Sequence, residues 1–492
     1  MGSNPIGGTR VLFWDTRSVD RVREPLKIML WRGTRPLDAR ARQAWFGPTA
    51  DLTDFDQSTV RRKVRRASLV LLILTLVSGF IFGRGFWVQS HPQLYGMTLG
   101  ILHDGTVTQV SLPVEFIGGS RVVVGRGSSS EQLAAHQRHW LRSGSVPVIT
   151  ELNRSSMVED ALLDLNTLSL THGVPVTGWE PAWRYVWPRD SALVASALAR
   201  SQHSKDARAI LDFLETVQPS TGIFQARYLP DGSGPPDGRG VQLDGTGWAL
   251  WALRQVVVQE KTDSDRRVVI ERYAKLLRRS SEALLALTAN GSRLPPVSAD
   301  YWETKETKVT LATCAAILMG LRSSQALYSL LKSPQEGVLE DAADSFQHLV
   351  LEAFAPDGFP RHVGGSRKTV DLGVAFLLPP FGNVTDTRVL TSWRNSTRYL
   401  ARPAGGLAPG GSWRSDGISW TVPTSIYAIV EACQGMRPEA VSRLQWLDDH
   451  RTPLGSLPEK VLASGSAASV APLGWTAGAV ICAVDVLQHG CR

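Results

Sequence analysis

The chain has 492 residues, 43% of them hydrophobic, with a formal net charge of +8 and four cysteines. That length exceeds one ordinary domain but suits a single large barrel with appendages, and the hydrophobic content is that of a globular protein. Much of the positive excess lies before residue 70, so the charge is a local feature rather than a nucleic-acid face, and no zinc-finger, recognition-helix or RNA-binding pattern occurs.

Residues 1–66 are rich in Arg, Pro, Gly and Asp without a clear period, apart from a short amphipathic piece around Pro25 to Trp31. They read as a basic cytoplasmic tail. Residues 67–88 read as a transmembrane anchor. Ala67 to Gly83 carries no charge, and Phe86-Trp87-Val88 extends the apolar run at the interface. The run is near the lower limit for a spanning helix. The cluster Arg61-Arg62-Lys63-Val64-Arg65-Arg66 precedes it. By the positive-inside rule the N-terminus is expected in the cytoplasm and the remainder outside, as a single-pass protein of the cell membrane. The late start and the lack of an Ala-x-Ala site favour an uncleaved anchor over a signal peptide.

Residues 90–150 are expected to be a short β-containing linker. Alternating runs at Thr106 to Leu112 and Val114 to Val124, the latter broken by Gly118-Gly119, precede a short helix near Glu131 to Leu141. From 151 to 492 the period becomes helical. Helices are expected near 155–171, 190–203, 205–218, 244–259, 265–289, 308–331, 338–355, 384–400, 422–435, 437–449 and 471–487. Ser264 and Thr421 stand as start signals. Gly- and Pro-rich loops fall at 219–240, 291–303, 356–383, 401–420 and 450–470. The alternation of short and long connections suggests a mainly α, closed ring of helix pairs whose long loops gather at one end and build a pocket. No repeat points to an open solenoid. Cys314, Cys433, Cys482 and Cys491 fit no metal spacing; three lie in apolar helical stretches, and no disulfide pairing follows from the sequence.

Sixteen Trp stand against eight Tyr, and several surround the polar residues able to do chemistry. The densest stretch runs from Gly178 to Ser191 and holds Trp179, Trp183, Tyr185, Trp187, Arg189 and Asp190. It reads either as the floor of a pocket that hydrogen-bonds sugar hydroxyls or as a capping pair among core aromatics. Gln242 and Asp244 face the same choice, with a helix cap favoured for Asp244. In Asp300-Tyr301-Trp302-Glu303, aromatic neighbours would disfavour the charged carboxylate, as a general acid requires. In Leu457-Pro458-Glu459-Lys460, a polar loop with a nearby Lys suits a base that stays ionised. Two carboxyl groups on opposite sides of a bond are what glycoside hydrolysis needs.

Taken in order, these pieces resemble glycoside hydrolase family 15, the glucoamylase-like family that includes bacterial glucodextranases and trehalases. The resemblance rests on Tyr185-x-Trp187-x-Arg189-Asp190-Ser191, Asp300-x-Trp302-Glu303, Trp420-x-x-x-Thr424, Pro458-Glu459 and Leu473-Gly474-Trp475-Thr476, and it covers roughly residues 155 to 490. It implies a six-hairpin (α/α)6 barrel and an inverting, exo-acting α-glycoside hydrolase on an extracytoplasmic oligo- or polysaccharide. By position, Glu303 would be the general acid and Glu459 the general base. Arg189 and Asp190 would hold the terminal sugar, and Tyr185, Trp187 and Trp302 would line its subsite. Gln242, Asp244, Asp300, Trp420 and Trp475 would complete the substrate-binding set. An inverting pair stands about 6.5–9.5 Å apart to admit water, and no metal or organic cofactor is implied. The departures are the short segment between anchor and barrel, the charged stretch after Glu303, and Trp183, where many relatives place a smaller aromatic. Two other readings share the fold: a phosphorylase, which has no catalytic base, and a glycan-binding protein without activity.

Overall fold

Thr98–Ile101 (β1) and Val107–Val110 (β2) form an antiparallel hairpin with Thr98 opposite Val110. They open the part of the chain that the structure, a computed structural model, describes: residues 93–125 and 128–491. The expected tail and the expected anchor at 67–88 lie outside it, and among the described residues no helix is long and apolar enough to cross a membrane. The alternating run after Val114 makes only isolated bridges, Ile101 to Val122 and Phe116 to Val123. The short helix follows at Ser128–Ser143 (α1).

The barrel is built from α2 (Met157–Ser169), α3 (Pro188–Arg200), α4 (Ser204–Val217), α5 (Asp244–Val258), α6 (Asp263–Arg272), α7 (Ala274–Thr288), α8 (Leu311–Leu330), α9 (Gln335–Phe354), α10 (Thr387–Leu400), α11 (Thr421–Cys433), α12 (Arg437–Asp449) and α13 (Gly474–His489). Between α9 and α10 a 3₁₀ helix covers Leu372–Leu377, inside the segment the sequence marks as loop. Going round the inner ring, α3 packs on α5, α5 on α8, α8 on the 3₁₀ helix, that helix on α11, α11 on α13, and α13 closes back on α3. The remaining helices lie outside that ring: α2 on α13, α4 on α3 and α5, the short α6 and α7 on α5 and α8, α9 on α8, α10 on the 3₁₀ helix, and α12 on α11.

The two layers differ in sequence for a physical reason. Every residue of α3 is buried, and so is Gly474 through Val486 of α13; a helix with neighbours all round is apolar all round. The outer α4 buries only Ala207, Ile210, Leu211 and Leu214, one stripe at helical spacing. Inner helices approach closely where glycine permits it: a Cβ on Gly247 would stand 1.9 Å from the Ala316 carbonyl oxygen.

Three local expectations change. The helix expected over 265–289 is two helices parted at Tyr273, and Thr262, not Ser264, caps the first by accepting from the Asp265 N–H at 3.1 Å. Asp244 does not cap α5; it is the first residue of that helix and its carboxyl bonds Arg189 instead. The loop expected over 450–470 contains a hairpin, Lys460–Val461 (β4) and Ala467–Ala468 (β5), joined by Ser419–Trp420 (β3) in the order β3-β4-β5. Cys433 and Cys491 form a disulfide, while Cys314 and Cys482 are free and buried.

Candidate active site

The inner helices begin at one end of the ring, and there a cavity of ≈ 360 Å³ opens, lined by both Glu303 and Glu459. Of the residues singled out in the sequence, Trp183, Trp187, Arg189, Asp190, Tyr301, Trp302, Trp420 and Trp475 line it too. Tyr185, Gln242, Asp244 and Asp300 do not; each supports a residue that does.

Arg189 opens the polar side. Its guanidinium lies 4.9 Å from the centre of the Trp475 ring. It donates to Asp190 at 3.2 Å, to Gln242 at 3.1 Å, to Asp244 at 3.3 Å and to Glu303 at 3.4 Å. One cation is thus shared among three carboxyl groups. Burial pushes Asp190 and Asp244 up to about 6, with Arg189 opposing it. Burial disfavours the Arg189 cation, but the surrounding carboxylates prevail and hold it firmly charged. The second Asp244 oxygen is buried without a partner, whereas Asp190 also accepts from Thr177 at 3.1 Å. Tyr185 stands edge-on to Trp187, with Arg227 4.0 Å over its ring.

Glu303 is aimed by a turn. Asp300 accepts from the Trp302 N–H at 2.9 Å, the Glu303 N–H returns to the Asp300 carbonyl at 2.9 Å, and Glu303 takes a left-handed φ of 55°. A non-glycine residue holds that conformation only when its surroundings enforce it. Here the enforcing group is Arg361, buried, which donates to Asp300 at 2.7 Å, Glu306 at 2.7 Å and Asp371 at 2.6 Å. The Trp302 ring covers that guanidinium at 3.8 Å. The sequence suggested an aromatic surrounding for Glu303; the structure gives a polar one. Oε1 accepts from Gln242 at 2.8 Å and from Arg189, and Oε2 accepts from Arg239 at 2.8 Å. Trp302 turns to Arg361 and to Trp413 instead.

Glu459 enters from the opposite loop system, immediately before β4. Its N–H donates to the Val470 carbonyl at 2.9 Å and its carbonyl accepts from the Thr421 N–H at 3.1 Å, so both the small sheet and the start of α11 fix it. Oε2 accepts from Ser469 Oγ at 2.5 Å and lies 3.1 Å from Lys460 Nζ; Oε1 accepts from Trp183 Nε1 at 3.3 Å. The residue is 9% exposed, so it is not the freely solvated loop side chain that its Gly/Ser-rich context suggests. Lys460 Nζ also lies 4.3 Å over the Trp420 ring.

The sequence singled out none of Arg227, Arg239, Arg361, Trp413 or Ser469. Arg227, Arg239 and Trp413 line the cavity from the loops at 219–240 and 401–420. Those loops were recognisable as pocket builders, but nothing in Pro-Asp-Gly-Arg-Gly or Gly-Ser-Trp-Arg says which side chain turns inward. Arg361 shares a Gly-rich stretch with Arg367 and Lys368, and its carboxylate partners are recognisable only after folding.

No protein-family model matches the chain. An uncharacterised glycosyl hydrolase of Methanocaldococcus jannaschii is 24% identical over 263 residues, which are 51% of this chain and 40% of that protein. The chain therefore matches well under half the length of that curated relative. A wild-type glycosidase superposes with a TM-score of 0.60 at 20% identity, covering 69% of this chain and 99% of the other. A bacterial glucoamylase solved with acarbose gives 0.59 at 14% identity, covering 73% of this chain and 59% of the other. The fold is accordingly the (α/α)6 barrel of glucoamylase-like glycosidases.

Proposed function

We propose that this chain is an inverting, exo-acting α-glycoside hydrolase, with Glu303 as general acid and Glu459 as general base. The observation that carries this reading is that two carboxyl groups from separate loop systems line one aromatic cavity, each fixed by its own set of donors. The terminal sugar sits among Trp187, Trp302, Trp420 and Trp475, with Arg189 and Asp190 on its hydroxyls. Glu459 takes a proton from a water that attacks the anomeric carbon. Glu303 gives its proton to the departing oxygen as the C–O bond breaks, and the anomeric configuration inverts. Two protein features support this assignment. The buried inner helices beneath the site favour a pocket that admits a chain end, and Lys460 beside Glu459 suits an ionised base. A solved glycosidase with glucose and a bacterial glucoamylase with acarbose, both on this fold, support a carbohydrate substrate.

The same proposal places the barrel outside the cell membrane, anchored by residues 67–88. The basic cluster before the apolar run supports that orientation, and the Cys433–Cys491 disulfide suits an oxidising compartment. The test is to purify the full chain in detergent and offer it maltose, isomaltose, trehalose, α-glucans, and arabinans or mannans of the envelope. The anomer first released is followed by NMR. An inverted sugar released without added phosphate is expected. A retained anomer overturns the inverting pair, and strict dependence on phosphate turns the reading to a phosphorylase.

A further inference from the structure

Residues 93–95 lie a few positions after the expected anchor, and they run alongside the loop that carries Glu459. The Ser469 N–H donates to the Gln93 carbonyl at 2.9 Å, and the Tyr95 N–H donates to the Ser469 carbonyl at 3.1 Å, with Leu94 and Ser469 in a parallel bridge. Both backbone groups of Ser469 are therefore held by this short extended strap. Ser469 needs holding: its φ of 68° is left-handed, a conformation that costs a non-glycine residue on the order of 1 kcal/mol or more. Its hydroxyl is the 2.5 Å donor to Glu459 Oε2.

The strap reaches the other oxygen of Glu459 as well. The Tyr95 ring packs against Trp183 with centroids 6.0 Å apart, and Trp183 Nε1 donates to Oε1. Two neighbours of the same carboxylate, 286 positions apart in the chain, thus rest on three consecutive residues from outside the barrel. A few residues further on, the strand β1 continues the attachment: Thr98 Oγ lies 2.5 Å from Ser456 Oγ, and Ser456 donates to buried Asp164 at 2.7 Å. The strap is thereby pinned downstream of the contact and cannot slide along the loop.

We propose that Gln93 to Tyr95 is a positioning strap for the base, making the membrane-proximal chain part of the catalytic apparatus although it touches no substrate. This rests on the assignment of Glu459 as the base. The strap acts through the orientation of Ser469 and Trp183. Its loss lets the Ser469 hydroxyl leave Glu459, so the carboxylate loses a donor that fixes its direction. The expected signature is a fall in kcat, because a misdirected base no longer meets the attacking water in reactive geometry. KM is expected to move less than kcat, because on the cavity wall the Tyr95 ring meets Trp183, which is not among the residues placed on the terminal sugar.

The test uses full-length protein carrying Tyr95→Pro, Tyr95→Ala or Tyr95→Phe. Proline removes the N–H that holds Ser469 and also the ring; alanine removes the ring alone; phenylalanine keeps both. The side chain of Tyr95 is half exposed, so these changes leave the barrel core untouched. Tyr95→Pro is expected to lower kcat about tenfold, the weight of a hydrogen bond to a charged group, with KM within about twofold. Tyr95→Ala is expected to do part of this, and Tyr95→Phe to behave as wild type. A kcat within twofold of wild type for both Pro and Ala overturns the proposal, including when the melting temperature falls, since that is the signature of a merely structural contact. If the proline variant does not fold, the alanine variant carries the same comparison. Glu459→Gln is measured in parallel. A Glu459→Gln protein with wild-type kcat would remove the base assignment itself, whereas an inactive one with unmoved Tyr95 variants removes only the strap.

Discussion

Arg239 Nη1 donates to Glu303 Oε2 at 2.8 Å although 64 residues separate them in the chain, and Asp237 holds the same guanidinium from its other side. The loop between α4 and α5 thus reaches across the site and places a positive charge on the carboxyl proposed to protonate the leaving group. Arg239→Ala takes away the donor that fixes Oε2 of the proposed acid and is expected to lower kcat by about fivefold to tenfold, a modest loss because the pair is part-exposed. Steady-state kinetics of the two proteins read this directly, and an unchanged kcat would show that Gln242 and Arg189 hold the carboxyl without it.

Glu303→Gln and Glu459→Gln remove a proton donor and a proton acceptor with little change in shape. Each is expected to lower kcat by about 10²–10⁴-fold or more, since that is the usual weight of general acid–base catalysis. Melting temperatures should stay close to wild type, because neither side chain belongs to the apolar core. Activity within a factor of two of wild type in either variant would remove that carboxyl from the proposed acid–base pair.

Most helices were legible in the sequence because their apolar spacing reports the layer they occupy. The outer α12 appears at 437–449 as expected, and the expected helix over 244–259 is the inner α5. The 3₁₀ helix at Leu372–Leu377 was not legible: six residues are too few to show a period, and its role in the ring comes from its neighbours. The site divides in a similar way. Arg189, Asp190, Trp302 and Glu303 stand beside helix starts or in a tight turn, where short motifs carry geometry. Asp244 looked like a cap because the residue type fits, but a buried guanidinium next to it competes for the carboxyl and wins. Arg239 and Ser469 act across long stretches of chain, which no local pattern encodes.

The Arg189 cluster has its own pH signature. Asp190 and Asp244 are raised to about 6 from an ordinary 3.8. A carboxyl raised on folding adds stability that is fully present below its unfolded value and lost as the pH climbs through the folded one. Wild-type stability is therefore expected to fall between about pH 4 and 7 more steeply than that of Asp244→Asn, which cannot ionise there. Thermal melts of both proteins across that range test it. Parallel curves would mean that Asp244 keeps its ordinary affinity for protons.

Gly247 and Gly337 make a contrasting pair. A methyl group on Gly247 would meet the Ala316 carbonyl oxygen at 1.9 Å, while nothing lies within 4 Å of one on Gly337. Gly247→Ala forces α5 and α8 apart and is expected to cost about 3 kcal/mol or more. Gly337→Ala, near the start of α9, is expected to gain up to about 1 kcal/mol from helix propensity. Urea midpoints of the two variants should move in opposite directions.

The inner ring is complete at five positions and abbreviated at the sixth, where Leu372–Leu377 makes only a 3₁₀ helix. The loop at 401–420 leans into that sector: the Leu372 N–H bonds the Pro409 carbonyl at 3.1 Å and the Gly411 N–H bonds the Val370 carbonyl at 2.9 Å. Trp413 and Trp420 are carried there by loop and short strand, while Arg189 and Trp475 across the pocket belong to long helices. Heritable variation meets unequal resistance on the two sides. Insertions and exchanges that redecorate the loop wall leave the helical wall standing, so descendants of this gene can reshape what the cavity admits by drifting on one flank alone.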